Sequence, residues 1–243
     1  MAAYNGSQYI REQVLSILEQ LTIEDELLVI DDCSSDETFK ILKEFQSPLI
    51  KLFQNKSNSG VIKTFEKAIS KAQGNIIFLS DQDDVWLPGK VDKFLSIFKS
   101  YADVTLVLSD AEIINEQGVK TNDSFFQLRG RFTSNPFSNF LKSKHHGCTL
   151  AFRREMLILF LPFPEGTPMH DIWIGIVNGI YGRAFYIDEA LIQHRRHSKN
   201  TGRGIFNRAD VVQILRWRFT LARNIVGLIL KNGLNKRSSI SSS

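Results

Sequence analysis

Three carboxylates lie within four residues of one another in the middle of the chain, at Asp81, Asp83 and Asp84. They directly follow the apolar run 76–79, so a buried strand is expected to end at this cluster. Like charges held this close repel one another unless a cation or a donor-rich ligand offsets the repulsion, and hard divalent ions prefer oxygen ligands. The cluster therefore predicts a site for Mg²⁺ or Mn²⁺, with a solvated acidic turn as the alternative.

A second acidic pair, Asp31 and Asp32, follows another short apolar run at 27–30. In open α/β sheets, ligands bind at the carboxyl ends of the strands. We therefore expect the two acidic segments to face one cleft.

The first hundred residues alternate between helical and strand patterns. Apolar residues at helical spacing predict helices that begin near residues 10, 35 and 61, and short apolar runs predict strands at 27–30, 50–53 and 76–79. The second helix is expected to begin with a capping box formed by Ser34 and Glu37. Such alternation is typical of a parallel sheet with helices on its faces.

The pattern changes after residue 100, where the loops are longer and the strands are isolated. Strands are expected at 104–108, 148–152, 183–187 and 191–194, and a helix is expected from Asp171 to Ile180. This half of the chain is expected to be a mixed α+β unit.

Composition excludes several classes of protein. With 243 residues, 43% of them hydrophobic and 23% charged, the chain can bury one large core and is neither disordered nor fibrous. Because no apolar run is long enough to span a membrane and the first residues lack signal-peptide features, a cytoplasmic protein is expected. Cys33 and Cys148 are too far apart in the sequence for a CxxC metal motif and are expected to be ordinary thiols.

The net charge of +4 is unevenly distributed along the chain. Residues 203–243 carry eight Lys/Arg and one Asp, which leaves a net charge of about −3 for residues 1–202. This basic tail, which contains Trp217, predicts either an amphipathic helix on an anionic membrane surface or a helix packed on the domain. Nucleic-acid binding is not expected, because the positive charge is confined to the tail and the expected cleft is acidic.

Several short motifs occur along the chain in one order. They are Ala3-Tyr4-Asn5-Gly6, Glu12-Gln13, Val29-Ile30-Asp31-Asp32-Cys33-Ser34-Ser35-Asp36, Asn58-x-Gly60, Asp81-Gln82-Asp83-Asp84-Val85-Trp86, Gly147-Cys148-Thr149-Leu150-Ala151-Phe152, His170-Asp171-x-Trp173 and Arg195-x-His197. This series resembles the inverting glycosyltransferases of family 2, which have the GT-A fold, and in particular their rhamnosyltransferase-like branch. The resemblance covers residues 3–202.

The resemblance implies an α/β GT-A domain at 1–202, followed by a basic helical tail at 203–243. The domain would have a Rossmann-like, mostly parallel sheet with helices on both faces. Residues 1–100 would bind the nucleotide sugar, and residues 101–202 would form the acceptor half.

The resemblance also implies where the donor lies. Ala3, Tyr4, Asn5 and Asp31 would lie near the base and ribose, and Asp81 would bind the sugar or ribose. An Asp can accept strong hydrogen bonds from a pyrimidine imide or a ribose hydroxyl. For Asp31, a plain helix-capping role is the open alternative.

The remaining site residues follow from the same resemblance. Asp83 and His197 would hold Mg²⁺ or Mn²⁺ against the donor diphosphate, and Arg195 would contact a phosphate. Asp171 matches the position of the family's catalytic base, with His170 where an acidic residue is usual. The alternative for Asp171 is a capping role at its own helix, and both roles are compatible.

One departure from the family concerns the first strand. Family members usually have a full apolar strand before the Ala-Tyr-Asn segment, whereas only Met1 and Ala2 stand there in this sequence. A shortened strand would leave backbone groups of its two neighbours unpaired, at about 1–3 kcal/mol for each buried group. We hypothesise that the natural chain begins upstream or that the reading frame is shortened.

The expected function is an inverting transfer of a sugar, with rhamnose as the candidate, from a nucleoside diphosphate to a hydroxyl of a cell-surface polysaccharide or lipid-linked acceptor. Two alternatives remain open at this point. One is an inactive sugar-nucleotide-binding protein, and the other is a metal-dependent phosphoryl-transfer enzyme.

Overall fold

The computed structural model describes residues 1–130, 133–141, 143–198 and 208–240, with side chains throughout except at 129, 208–212 and 233–240. The strands in these ranges are β1 Ala2–Ala3, β2 Leu27–Asp31, β3 Ile50–Gln54, β4 Ile76–Phe78, β5 Val85–Trp86, β6 Val104–Ile114, β7 Lys120–Asn122, β8 Leu150–Arg153 and β9 Arg183–Arg195. The α-helices are α1 Ile10–Leu18, α2 Thr38–Glu44, α3 Val61–Lys71, α4 Lys90–Ser100, α5 Phe125–Arg129, α6 Pro136–Leu141, α7 Leu157–Phe160, α8 His170–Tyr181 and α9 Arg208–Ile240.

The first hundred residues form the alternating pattern that the sequence predicts. Strands β1, β2 and β3 are parallel neighbours, and α1, α2 and α3 connect them to one another and to β4. All five residues of β2 are buried, as expected for a strand that is apolar on both faces. Its register places Asp31 opposite Ala3 on one side and Gln54 on the other, so the carboxyl ends of these strands meet at one edge.

The expected capping box is wrong. Helix α2 begins at Thr38, and Glu37 precedes it without a side-chain capping bond. The Ser34 hydroxyl donates to the carboxylate of Asp31 instead, while Asp36 Oδ1 accepts from Thr38 N at 3.0 Å. Ser34 Oγ also accepts from Asn5 N at 3.0 Å, so its hydroxyl joins the segments that follow β1 and β2 and does not cap α2.

The second half of the chain is mixed, as expected. Strands β4, β8, β6, β9 and β5 are neighbours in that order, and only the β6–β9 pair is parallel. The two strands expected at 183–187 and 191–194 are one long strand, β9. Its register against β6 skips two residues between Ile187 and Ala190, so the polar stretch that looked like a turn is an irregularity within the strand.

A cavity of about 760 Å³ lies between the two sheets. Strand β1 has only two residues, and no ladder joins it to β4 in the described chain. The walls include Leu28 of β2, Ile77 of β4 and Phe65 of α3, together with Met1. The Met1 ammonium donates to Leu28 O at 2.8 Å, and burial lowers its pKa to about 5.

The C-terminal helix α9 packs on the core through one of its faces. Leu221 is fully buried, and Ile225 and Leu228 pack against the same core cluster. The expected boundary between 202 and 203 lies outside the described residues. Within those residues, no helix combines the length and the apolar composition that a membrane crossing needs.

Candidate active site

Residues 80–84, which we call the acidic loop, connect β4 to β5 and are fixed by two amide side chains. Gln13, buried on α1, donates from Nε2 to Ser80 Oγ at 2.7 Å and to Asp81 O at 3.1 Å. Gln82 Oε1 accepts from Tyr4 N at 2.7 Å, and Gln82 Nε2 donates to Tyr4 O at 2.9 Å. The acidic loop is therefore attached to the segment that follows β1.

The three carboxylates of the acidic loop have different electrostatic environments. Burial and the charges of Asp84 and Asp83 raise the pKa of Asp81 well above its usual value, and burial with Asp84 raises the pKa of Asp83. Burial would also raise the pKa of Asp84, but the charge and hydrogen bond of His194 lower it to about 2. The ionised forms of Asp81 and Asp83 are thus disfavoured, and a bound divalent cation would offset the repulsion.

Asp83 and His197, the two predicted metal ligands, come together although they are far apart in the sequence. His197 Nε2 and Asp83 Oδ2 lie 2.7 Å apart, and both side chains are largely buried. The His197 ring also packs on Tyr9, with 5.1 Å between ring centroids. A carboxylate beside an imidazole is a donor set that fits a divalent ion. The assignment as metal ligands stays a prediction.

Arg195 is buried at the end of β9, with 2% of its surface exposed. Its Nη2 donates to Glu12 Oε2 at 2.6 Å, its Nε donates to Asp83 O at 2.9 Å, and the guanidinium lies over the Tyr9 ring. Its backbone N–H donates to Asp84 Oδ1 at 3.0 Å. In the structure Arg195 therefore holds the acidic loop in place. The expected phosphate contact stays a prediction.

The residues predicted to bind the nucleoside lie beside one another. Asp31 is fully buried, and its Oδ2 accepts from Ser34 N and from Gln54 Nε2, each at 3.1 Å. Asn5 has a φ of 51°, and its Oδ1 accepts from Ser35 N at 2.8 Å. Of the other two, Ala3 is buried and Tyr4 is exposed. Residues 3–5 and Asp31 thus form one side of the site, and their contact with a nucleoside stays a prediction.

Asp32, the neighbour of Asp31, shapes the loop that follows β3. Its Oδ1 accepts from Asn55 Nδ2 at 2.7 Å and from Ser59 N at 2.9 Å, and its Oδ2 accepts from Gly60 N at 2.8 Å. Gly60 has a φ of 83°, a left-handed conformation that glycine adopts without strain. The Asn-x-Gly motif is therefore folded around a buried carboxylate.

Asp171 lies in the first turn of α8, where the helix dipole favours a negative charge. Met169 precedes the helix, so Asp171 is not its N-cap residue. Its Oδ2 accepts from Gly147 N at 3.1 Å, and its charge is one of those that raise the pKa of Asp81. The predicted base therefore lies close enough to the acidic loop for the two carboxylates to interact.

His170 packs in the core beside Asp171. Its ring stacks on Phe65 with 3.9 Å between centroids, and burial lowers its pKa to about 3. The imidazole is therefore neutral at ordinary pH. In the position where the family usually has an acidic residue, this chain has an uncharged ring.

A group of His and Cys side chains next to the acidic loop was not assigned to the site from the sequence. Among the described residues, ligand atoms of His146, Cys148 and His194 lie within 4.8 Å of one another, as do those of Asp81, Asp84 and Cys148. One signal in the sequence was the position of Cys148 within a motif of the family resemblance. Periodicity and motif spacing do not reveal such a group, because its members come from three separate segments.

Comparison with known proteins identifies the family of this chain and its fold. A family model described as glycosyl transferase family 2 matches residues 1–159. The chain is 31% identical over 180 residues to the UDP-Glc:alpha-D-GlcNAc-diphosphoundecaprenol beta-1,3-glucosyltransferase WfgD of Escherichia coli, covering 73% of this chain and 68% of that protein. It is 26% identical over 217 residues to the dTDP-rhamnosyl transferase RfbG of Shigella flexneri, covering 82% and 72%.

Two solved structures show the same fold. S. aureus TarS 1-349 in complex with UDP-GlcNAc matches with a TM-score of 0.71 and 20% identity, covering 90% of this chain and 64% of that chain. The mannosyltransferase PcManGT from Pyrobaculum calidifontis, in complex with GDP-Man and Mn2+, matches with a TM-score of 0.63 and 19% identity, covering 95% and 62%. This chain thus spans less than two thirds of either solved chain.

The expected GT-A fold is confirmed by these structures, and the expected family is confirmed by the sequence matches. Because the family model covers more than half of the chain, this protein belongs to glycosyl transferase family 2.

Proposed function

We propose that this protein transfers a sugar from a nucleoside diphosphate to a hydroxyl group of a saccharide or lipid-linked saccharide, with inversion at the anomeric carbon. The observation that carries the proposal is the contact of Asp83 Oδ2 with His197 Nε2 at 2.7 Å, with Asp171 near enough that its charge also acts on Asp81 of the same loop. One site thereby combines a carboxylate that can accept a proton with a cluster that can hold a diphosphate through a cation.

On the donor side, residues 3–5 and Asp31 form the proposed nucleoside site, and Asp81 is proposed to bind the sugar or ribose. Asp83 and His197 would hold Mg²⁺ or Mn²⁺, which supplies Lewis-acid stabilisation of the departing diphosphate. Arg195 keeps the loop in position through the carbonyl oxygen of Asp83 and the carboxylate of Asp84. Such fixed groups need little reorganisation during the reaction.

On the acceptor side, Asp171 is proposed to take the proton of the attacking hydroxyl. The Gly147 N–H holds Oδ2 of Asp171, and the start of α8 favours its ionised form. A base must come within about 3 Å of the hydroxyl that it deprotonates. Because the attack is a single displacement, no covalent enzyme intermediate is expected.

The proposed donor sugar is a deoxyhexose such as rhamnose, and the proposed acceptor is lipid-linked. The match to the dTDP-rhamnosyl transferase RfbG supports the sugar, and the diphosphoundecaprenol in the name of WfgD supports the acceptor. Transfer of such a sugar to a lipid-linked acceptor would be a step in the synthesis of a cell-surface polysaccharide.

A thermal-shift panel tests the proposed function. Its probes are dTDP-rhamnose, UDP-glucose, UDP-GlcNAc and GDP-mannose, each with and without Mn²⁺. A donor present at 100 times its Kd is expected to stabilise the fold by about 2.7 kcal/mol, or about 5–10 °C in Tm for a domain of this size. We expect one donor to give such a shift, and a larger one with Mn²⁺.

Two outcomes would favour the alternatives. A donor shift that is equal with and without Mn²⁺, in a protein that transfers no sugar, would favour a binding protein. Release of inorganic phosphate without any acceptor would favour a phosphoryl-transfer enzyme.

We also propose that α9 places the protein on the cytoplasmic face of an anionic membrane. Leu215, Phe219, Val226 and Leu230 are each more than half exposed and recur at helical spacing on one side of α9. This stripe lies away from Leu221, which packs into the core. Exposed Arg216 and Arg223 are next to the stripe, a combination typical of helices at membrane surfaces.

Replacing Phe219 with Glu is expected to weaken binding to vesicles of phosphatidylglycerol by about tenfold or more, since burial of one aromatic side chain contributes about 1.5–3 kcal/mol. Co-sedimentation measures the change. The matched control is Ile23→Glu, because Ile23 is 82% exposed and lies outside α9. Equal binding of both variants and the original protein, or no binding at all, would contradict the membrane proposal.

A further inference from the structure

A cluster of nitrogen, sulfur and oxygen ligands lies beside the acidic loop, apart from the Asp83–His197 pair. His146 Nε2 and His194 Nδ1 are 3.4 Å apart, and His194 Nδ1 and Asp84 Oδ1 are 2.9 Å apart. Cys148 Sγ lies within 4.8 Å of ligand atoms of both imidazoles, and also of the carboxylates of Asp81 and Asp84.

We propose that His146, Cys148, His194 and Asp84 bind a divalent cation of the Zn²⁺ type, at a second site distinct from the one formed by Asp83 and His197. Imidazole nitrogen and thiolate sulfur are ligands of borderline ions, whereas Mg²⁺ and Mn²⁺ prefer oxygen. The two sites therefore differ in the kind of ion that each selects.

Two of the ligand separations are close to those of a four-coordinate ion. With metal–ligand bonds of about 2.0–2.3 Å, neighbouring ligand atoms of a tetrahedral zinc site lie about 3.3–3.8 Å apart. The two imidazole nitrogens already have this separation, at 3.4 Å. The oxygen of Asp84 lies slightly closer to His194, because a hydrogen bond joins the two at 2.9 Å, and it needs to move by only a few tenths of an ångström.

Asp84 gives independent support for a ligand at this place. Its Oδ2 is buried with no nitrogen or oxygen donor among the described residues, the whole residue is 1% exposed, and the carboxylate interacts with the Cys148 thiol. A thiol is a weak hydrogen-bond donor and compensates a buried carboxylate oxygen poorly, whereas a cation bound between the sulfur and the oxygen would compensate it well. The cluster of potential ligands that contains Asp84 also contains the Cys148 sulfur.

A dication would also offset the negative charge that the site gains when the Cys148 thiol ionises beside Asp84. The buried Lys90 lies next to these ligands, and its Nζ donates to Cys148 O at 2.8 Å. On binding, the sulfur forms a bond to the cation, and the thiol proton is released to solvent.

Such an ion would connect three segments that are distant in the sequence. It would join the residues before β8, the end of β9 and the acidic loop, and it would fix Asp84 next to Asp83. The inferred role is structural, since it positions the acidic loop. The site rests on its own ligand geometry and does not depend on the proposed sugar transfer.

Co²⁺ is the probe, because its absorption reports both coordination number and sulfur ligation. Titration of the full chain is expected to give the intense visible bands of four-coordinate Co²⁺ and a near-ultraviolet thiolate charge-transfer band. One equivalent of Zn²⁺ should remove both, and this measurement needs no variant. Octahedral Co²⁺ without a thiolate band would overturn the proposal.

Variants identify the ligands. Cys148→Ser is expected to lose the charge-transfer band, whereas Cys33→Ser, at the other cysteine, is expected to keep it. Asp83→Asn is also expected to keep the band, because Asp83 belongs to the other site. A band that persists in folded Cys148→Ser, or one that disappears in Cys33→Ser, would show that the cluster does not bind the ion. Neither outcome bears on donor binding, which the thermal-shift panel measures separately.

Discussion

Replacing Asp171 with Asn is expected to lower kcat for sugar transfer by about 10²–10⁴-fold, the contribution typical of a positioned general base. The amide cannot take the proton of the acceptor hydroxyl. Its oxygen can still accept the hydrogen bond from Gly147 N, so the start of α8 should keep its geometry. Donor affinity is therefore expected to stay within about twofold, as measured by the donor-induced shift in Tm.

The control for this substitution is Asp188→Asn, the same change at an exposed position of β9. Initial rates at saturating donor and acceptor distinguish the two variants, since only Asp171 should affect kcat. An Asp171→Asn protein that transfers sugar at more than about a tenth of the original rate would show that another group takes the proton.

Replacing Asp83 with Asn is expected to reduce metal-dependent transfer by about 10²–10³-fold in kcat/KM and to abolish the Mn²⁺-induced increase in Tm. Lewis-acid stabilisation of a leaving group contributes several kcal/mol, and each 1.4 kcal/mol is a factor of ten. The fold should survive, because Asn has a similar shape and the repulsion between Asp83 and Asp84 is removed.

Isothermal titration calorimetry with Mn²⁺ measures the loss of metal affinity that underlies both parts of this prediction. Asp123→Asn is the control, since the Asp123 side chain is 82% exposed and lies in the turn after β7. Retention of full Mn²⁺ affinity by Asp83→Asn would place the catalytic ion elsewhere. In that case the remaining carboxylates, Asp81 and Asp84, would become the candidates.

The two substitutions separate the donor side of the site from the acceptor side. Loss of Asp83 should affect the response to metal and the departure of the diphosphate. Loss of Asp171 should affect only the activation of the hydroxyl. Their effects on the rate should multiply in the double variant if the two residues stabilise the one transition state independently, and should be less than multiplicative if they act as one unit.

The sequence predicted the N-terminal half well, because that half follows local rules. Buried strands such as β2 are continuous apolar runs, and amphipathic helices such as α3 repeat their apolar residues every three to four positions. The local rule failed at Ser34, where a tertiary contact takes part. Ser34 has the spacing of a capping box, yet its hydroxyl donates to the buried carboxylate of Asp31 and accepts from the backbone N–H of Asn5, 29 positions away.

The second half was harder to predict, since its order depends on pairing between distant segments. Strand β9 was expected as two strands, because a polar stretch around residue 188 interrupts its apolar pattern. Pairing with β6 continues past this stretch through a shift in register. A register shift of this kind depends on how β9 pairs with β6. The sequence of β9 alone therefore gives no clear periodic signal for it.

For the site, the sequence by itself determined which residues are candidates, because closely spaced carboxylates and ordered motifs are visible in a single chain. Only the tertiary structure decided which of them meet. It paired Asp83 with His197, buried Arg195 against Glu12, and brought Cys148 close to Asp84. Contacts between residues more than sixty positions apart are fixed by how the sheets and helices pack, and composition and spacing do not encode that packing locally.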